Sequence, residues 1–265
     1  MPKRLLVFAS LFAAHAVQAQ EARPLCVDRP GLGTPPCTVE QGRATIELGL
    51  ADWTLDRTPE SRTDTWVAGD LLLGYGITAN TEVLAGWTAL GTTRVRDRTT
   101  GQVTRGTGTG DVTLAVRQNF SNPDGSGFSI AAMPHVELPV GGKTIGAGTW
   151  GAGLIVPATY ELSKTVSIAL TPEIDAAPDE DRRGRHLSYG SVIGLDVALT
   201  SKLDGEIEFQ AKRDQDPGGH VTQTFAAAAL AWQPNDDLQF DIGAVAGLNR
   251  ASPDIELYLG IARRL

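Results

Sequence analysis

The 265-residue chain contains only two cysteines and two methionines, and its formal charge is −8. After Ala19, no apolar run approaches the roughly 20 residues that a membrane-crossing helix requires without meeting a charge or a cluster of glycines. Long helical periods are missing as well: nowhere do apolar residues recur every three or four positions over an extended window. The acidic balance argues against nucleic acid as a partner. Cys26 and Cys37 have no further soft ligands beside them, so neither a zinc site nor another metal or cofactor is expected. No linker-like stretch divides the chain, and its length suits one large all-β unit.

Met1 to Ala19 reads as a secretory signal. Lys3 and Arg4 form a basic start, Leu5 to Ala14 a short apolar core, and Val17-Gln18-Ala19 a small-residue cleavage site. Its removal takes away two cations and no acid. The mature chain is then exported, where a disulfide between Cys26 and Cys37 is the expected state of the pair. The residues between them, Val27 to Pro36, are turn-rich, so 20–42 reads as a periplasmic N-terminal segment ahead of a unit spanning 43–265.

The rest of the chain is dominated by a period of two. From Asp237, the residues Leu238, Phe240, Ile242, Ala244, Ala246 and Leu248 alternate with Asp237, Gln239, Asp241 and Gly243. From Asp254, Ile255, Leu257, Leu259 and Ile261 alternate with Glu256, Tyr258 and Gly260. Such spacing puts one set on each face of a strand. The same pattern recurs at Arg43–Leu55, Trp66–Ile77, Glu82–Val95, Asp111–Phe120, Phe128–Leu138, Trp150–Leu162, Val166–Ile174, Leu187–Leu199, Leu203–Lys212 and Val221–Trp232. No helix is available to cover the apolar faces.

These segments predict an all-β fold: an antiparallel up-and-down transmembrane β-barrel of about twelve strands. Connections alternate between short ones, near Ala79, Asp124, Ser163, Ser201 and Asn235, and longer ones, near Pro59, Thr100, Gly142, Asp181, Asp216 and Arg250. Short turns belong to the periplasmic side and long loops to the extracellular side. Closure is required because an open sheet would leave unpaired backbone groups in lipid. Aromatic residues near the strand ends (Trp66, Trp87, Phe120, Phe128, Trp150, Tyr160, Trp232, Phe240) suit interfacial girdles. A soluble barrel or sandwich would show the same alternation inside out, but about twelve strands would then enclose a large apolar lumen. Outer-membrane lipid is therefore the expected partner of the apolar face.

The opposite face carries the ionisable residues. Glu82, Asp111, Arg117, His135, Glu137, Glu161, Glu173, Asp175, Asp196, Glu206, Glu208, Lys212, Asp241 and Glu256 are the expected lumen-lining set. Charges in a closed interior must be paired or hydrated. This set reads either as a salt-bridged filling or as a polar pore favouring cations and polar solutes.

Gly110-Asp111-Val112-Thr113-Leu114, Glu137-Leu138-Pro139-Val140-Gly141 and Ser252-Pro253-Asp254-Ile255-Glu256-Leu257-Tyr258-Leu259-Gly260 resemble motifs of the outer-membrane family called the putative MetA-pathway of phenol degradation. The run from Cys26 to Cys37 resembles the entry segment of some members. The resemblance covers about Asp28 to Leu265. It implies uptake or efflux of small, in part aromatic, compounds, with no catalytic residues. With the barrel pattern this reads as a monomeric channel for passive passage of small solutes, the alternative being a non-conducting structural barrel that acts through its long loops. Such barrels commonly end on an aromatic residue with another two positions earlier. Here those positions hold Leu265 and Arg263, so reading by the barrel-assembly machinery is expected to lean on Ile261, Leu259 and Leu257.

Three other patterns carry less. Gly146-Ala147-Gly148-Thr149-Trp150-Gly151 has the letters of a dinucleotide loop, but Pro157 and β-branched residues follow instead of a helix. Gly142-Lys143-Thr144 lacks the leading glycine of a phosphate loop. His186-Leu187-Ser188 offers the base and nucleophile of an outer-membrane acyl hydrolase, since residues two apart share a strand face. That face is the lumen here, whereas a lipase must meet lipid.

Overall fold

The structure, a computed structural model, describes residues 23–265. The proposed signal, 1–19, lies outside the described residues. Fourteen antiparallel strands form one sheet: β1 (Ala44–Arg57), β2 (Ser61–Gly76), β3 (Thr81–Asp97), β4 (Val103–Gly108), β5 (Val112–Ser121), β6 (Phe128–Leu138), β7 (Gly151–Ile155), β8 (Ala158–Ser163), β9 (Val166–Pro178), β10 (Arg185–Ala198), β11 (Leu203–Asp216), β12 (Gly219–Asn235), β13 (Leu238–Gly247) and β14 (Ile255–Arg264). β4 and β5 follow one another along β3, and β7 and β8 follow one another between β6 and β9. The wall therefore has 12 staves. β14 pairs with β1 from Thr45↔Arg264 to Leu55↔Ile255, which closes the cylinder and leaves no edge in lipid.

Period two explains which side each residue takes. Leu73, Ile193, Ile207, Leu230, Ile242 and Leu257 are among the large apolar side chains exposed on the outside. Their inward neighbours Val192, Glu208, Ala231, Asp241 and Tyr258 are buried. An outer surface of this kind is stable only against acyl chains, and the barrel sits in the outer membrane. All eight predicted girdle aromatics lie exposed on the outer wall. Trp232 stacks on Phe240 across β12 and β13, and Trp53 tilts against Trp66 across β1 and β2, with centroids 5.6 and 6.0 Å apart.

Three departures from simple alternation have local causes. The β1–β14 register shifts between Gly49 and Ala51, so a bulge at Leu50 exchanges the faces of β1. In β2 the faces exchange at Gly69, whose φ of 71° kinks the strand while its register with β3 runs on from Ala68↔Leu90 to Asp70↔Thr88. Trp66 and Leu73 thereby share the outer face despite their odd spacing, and Val67 does not join them. Pro157 splits the expected strand Trp150–Leu162 into β7 and β8, because it has no N–H to give to a ladder. The expected long connections near Pro59 and Asp216 are instead long hairpins, β1–β2 and β11–β12, closed by tight turns.

Of the expected periplasmic segment 20–42, the described part, 23–42, is folded into the lumen at the short-turn end. It spans the interior from β1 and β3 to β11 and β13. The reason is electrostatic: inward carboxylates of the wall need donors, and the segment's backbone N–H groups and Arg29 supply them.

Candidate functional site

The lumen is built from the inner faces of the staves and from this plug. The Cys26–Cys37 disulfide ties its base, with Cα atoms 5.9 Å apart. Glu47 on β1 accepts the backbone N–H groups of Asp28 and Arg29, both at 2.9 Å. Glu208 on β11 accepts those of Leu32 and Gly33. Glu82 on β3 accepts that of Val39 at 3.2 Å. Arg29 reaches β13, where its guanidinium donates to Asp241 at 2.7 Å and lies over the Tyr258 ring. Arg117, 1% exposed, pairs with Asp28 and with Glu82 and donates to the Cys37 carbonyl. Asn119 donates to the carbonyl of Pro36 and Gln239 to that of Arg29. At the mouth, Arg264 pairs with Glu40 at 3.0 Å and with Asp237 at 2.8 Å.

Small residues make the room. Leu32 packs on a cluster of Ala227, Val245 and Tyr258, against the alanine row of β12. A Cβ at Gly260 would fall 2.2 Å from the Arg29 side chain. Beside the plug a cavity of about 270 Å³ remains, walled by Asp28, Arg29 and Thr34 on one side and by Thr171, Asp196, Glu206 and Glu208 on the other. A recess of about 470 Å³ at the short-turn rim shares Asp196 and Asp204 with it.

Farther along the lumen, His135, Glu173 and Asp175 gather their ligand atoms within 4.8 Å of one another. His135 Nε2 lies 3.5 Å from Asp175 Oδ1, and Lys212 Nζ lies 3.5 Å from Asp175 Oδ2. Gly153 opens this space: a Cβ there would come 2.0 Å from Asp175 Oδ1. Lys212 already supplies the cation this group needs. Asp111 accepts the N–H groups of Gly141 and Ala147, and so draws the 139–148 loop inward over β3, where Ile145 meets Gly91.

The structure thus brings Glu82, Arg117, Glu208 and Asp241 together through the plug. It places Asp196 and Glu206 along the cavity and His135, Glu173, Asp175 and Lys212 in one cluster. Glu256 faces inward next to Asp52, and Glu137 approaches Gly151. Glu161 is the exception: it is exposed at the short-turn rim, where it accepts the N–H of Gly127. Sequence reasoning missed Glu47, Asp52, Arg29 and Arg264. Glu47 lies between the outward Ile46 and Leu48, so the alternation already marked it. Nothing in the pattern of Arg29 tells of its place in the lumen.

His186 and Ser188 both face inward. The Ser188 hydroxyl is fully buried and makes no hydrogen bond, while both His186 ring nitrogens face aspartates. The pair is not assembled as base and nucleophile.

Solved structures of similar fold are membrane β-barrels. The translocator domain of the autotransporter NalP from Neisseria meningitidis has a TM-score of 0.55 at 9% identity, covering 86% of this chain and 90% of that one. The transport unit of the autotransporter AIDA-I from Escherichia coli gives 0.52 at 10%, covering 84% and 90%. The KdgM porin in complex with oligogalacturonate gives 0.51 at 9%, covering 83% and 98%. No curated protein matches the chain. The family model described as "Putative MetA-pathway of phenol degradation" matches residues 27–265, nearly all of the described chain, and the protein belongs to that family.

Proposed function

We propose that the barrel passes small solutes passively across the outer membrane, by a route beside the plug rather than through an empty bore. The observation that carries this is the cavity between plug and wall, adjoining the rim recess across Asp196 and Asp204. Its wall carries Asp196, Glu206 and Glu208, so uncharged and cationic solutes pass more readily than anions. The family description points to aromatic compounds, and phenols, neutral at physiological pH, fit this charge rule. The chain works as a monomer, since the wall closes on itself at β1 and β14 without a second copy. Its inward charges serve the plug and the route rather than a reaction, and His186 with Ser188 carries no hydrolase activity. The barrel-assembly machinery reads the last strand through Leu257, Leu259 and Ile261.

The test is swelling of proteoliposomes in phenols, small sugars and aromatic acids. Swelling with phenols and sugars above that of protein-free liposomes, and slower swelling with the acids, is the expected result. Rates equal to protein-free liposomes for every solute overturn the proposal.

A further inference from the structure

At the extracellular mouth a second cluster stands apart from the plug and from the solute route. His186 is the second residue of β10, Asp179 begins the loop that ends at Gly184, and Asp214 and Asp216 lie at the end of β11. The His186 side chain is 6% exposed. Its Nδ1 lies 3.0 Å from Asp179 Oδ1 and 3.5 Å from Asp216 Oδ2, and its Nε2 lies 2.9 Å from Asp214 Oδ1.

A neutral imidazole carries one N–H and one lone pair. If Nε2–H faces Asp214, Nδ1 faces two carboxylates, and either a second proton or a metal cation must stand between them. Among the described residues no lysine or arginine is paired with Asp179, Asp214 or Asp216. The carboxylates are also held in place: Asp216 accepts the N–H groups of Gly218 and Glu180 at 2.6 and 2.7 Å, and Asp214 accepts that of Asp216 at 3.0 Å. Nε2 makes no aligned hydrogen bond despite its burial, so the ring is not fully satisfied by protein alone.

We propose that His186 Nδ1, Asp179 and Asp216 form a binding site for a divalent transition-metal cation of the zinc class. The ligand atoms of the three residues lie within 4.8 Å of one another. Bonds of about 2.1 Å in a tetrahedron place neighbouring ligands about 3.4 Å apart, and the separations of 3.0 and 3.5 Å bracket that value. A nitrogen ligand excludes calcium, which takes oxygen donors. Asp214, 2.9 Å from Nε2, stands where a small turn of the ring on metal binding would let it accept the N–H of the metal-bound imidazole. The fourth position is left to water. Bound there, the ion clasps the 179–184 loop to the β11–β12 hairpin.

The experiment uses the full-length mature protein in detergent, stripped with chelator and titrated with Zn²⁺ by calorimetry at neutral pH. One saturable site is expected. Binding weakens at least about tenfold in His186→Ala and Asp216→Asn and stays unchanged in His135→Ala, which alters the lumen cluster. Zn²⁺ also slows tryptic cleavage at Arg182 and Arg183 in the native protein but not in Asp216→Asn. Heat-modifiable gel mobility confirms that each variant is folded. An absence of saturable binding, binding that survives both His186→Ala and Asp216→Asn, or binding lost in His135→Ala alone overturns the proposal.

Discussion

Single side chains decide whether the plug stays in place. The Asp241 side chain is fully buried, and Arg29 is its only cationic partner among the described residues. Removing one member of a buried pair leaves an uncompensated charge and costs about 3–5 kcal/mol, more than a mutual replacement of both. Arg29→Ala therefore loosens the plug while the wall, held by backbone ladders, stays closed. Single-channel recordings in planar bilayers check this: conductance rises in Arg29→Ala and returns toward the native value in Arg29→Ala with Asp241→Ala. Unchanged conductance in the single variant shows that the plug does not limit flow.

Strands act through their faces. β12 presents Ala227, Ala229 and Ala231 inward and Ala228, Leu230 and Trp232 outward. The inner row is small because Leu32 of the plug lies on it. Ala227→Phe overpacks that contact, at about 1–3 kcal/mol, and raises flux in the swelling assay, whereas Ala228→Phe adds a lipid-facing ring and leaves flux unchanged. The contrast is between adjacent residues, so equal effects would show that the face assignment is wrong. Strand existence was legible from period two, because each stave buries one face in lipid and the other in a polar interior. The places where it failed are those where one residue resets the period: Leu50 at a bulge, Gly69 at a kink with positive φ, and Pro157 between β7 and β8. A single inserted residue moves every later side chain to the other face, and a window that averages over it sees only a weaker pattern. The plug was illegible for a different reason. Its residues 23–42 have no regular period, and they are held by backbone N–H groups meeting Glu47, Glu82 and Glu208 from distant strands. Of these acids Glu82 and Glu208 were read from the sequence, whereas Glu47 and the donors that satisfy all three were not.

Across the whole molecule the charge distribution should set what passes. The plug consumes part of the interior acid: Glu47, Glu82, Glu208 and Asp241 hold its N–H groups and arginines. Asp196 and Glu206 make no ion pair among the described residues and line the cavity that is left. Fixed carboxylates in a narrow, low-dielectric passage raise the local cation concentration and repel anions, an effect that fades as salt shortens the screening length to about 10 Å at 0.1 M. Under a KCl gradient the native barrel is therefore cation-selective by its reversal potential, most strongly at low salt. Asp196→Asn combined with Glu206→Gln moves that potential toward zero without enlarging the passage, because both changes are isosteric and neither residue bonds the plug backbone. Glu60→Gln, on the exposed turn between β1 and β2 at the other end of the barrel, leaves it nearly unchanged. A double variant as selective as the native protein would place the solute route elsewhere in the lumen, along the His135 and Lys212 side.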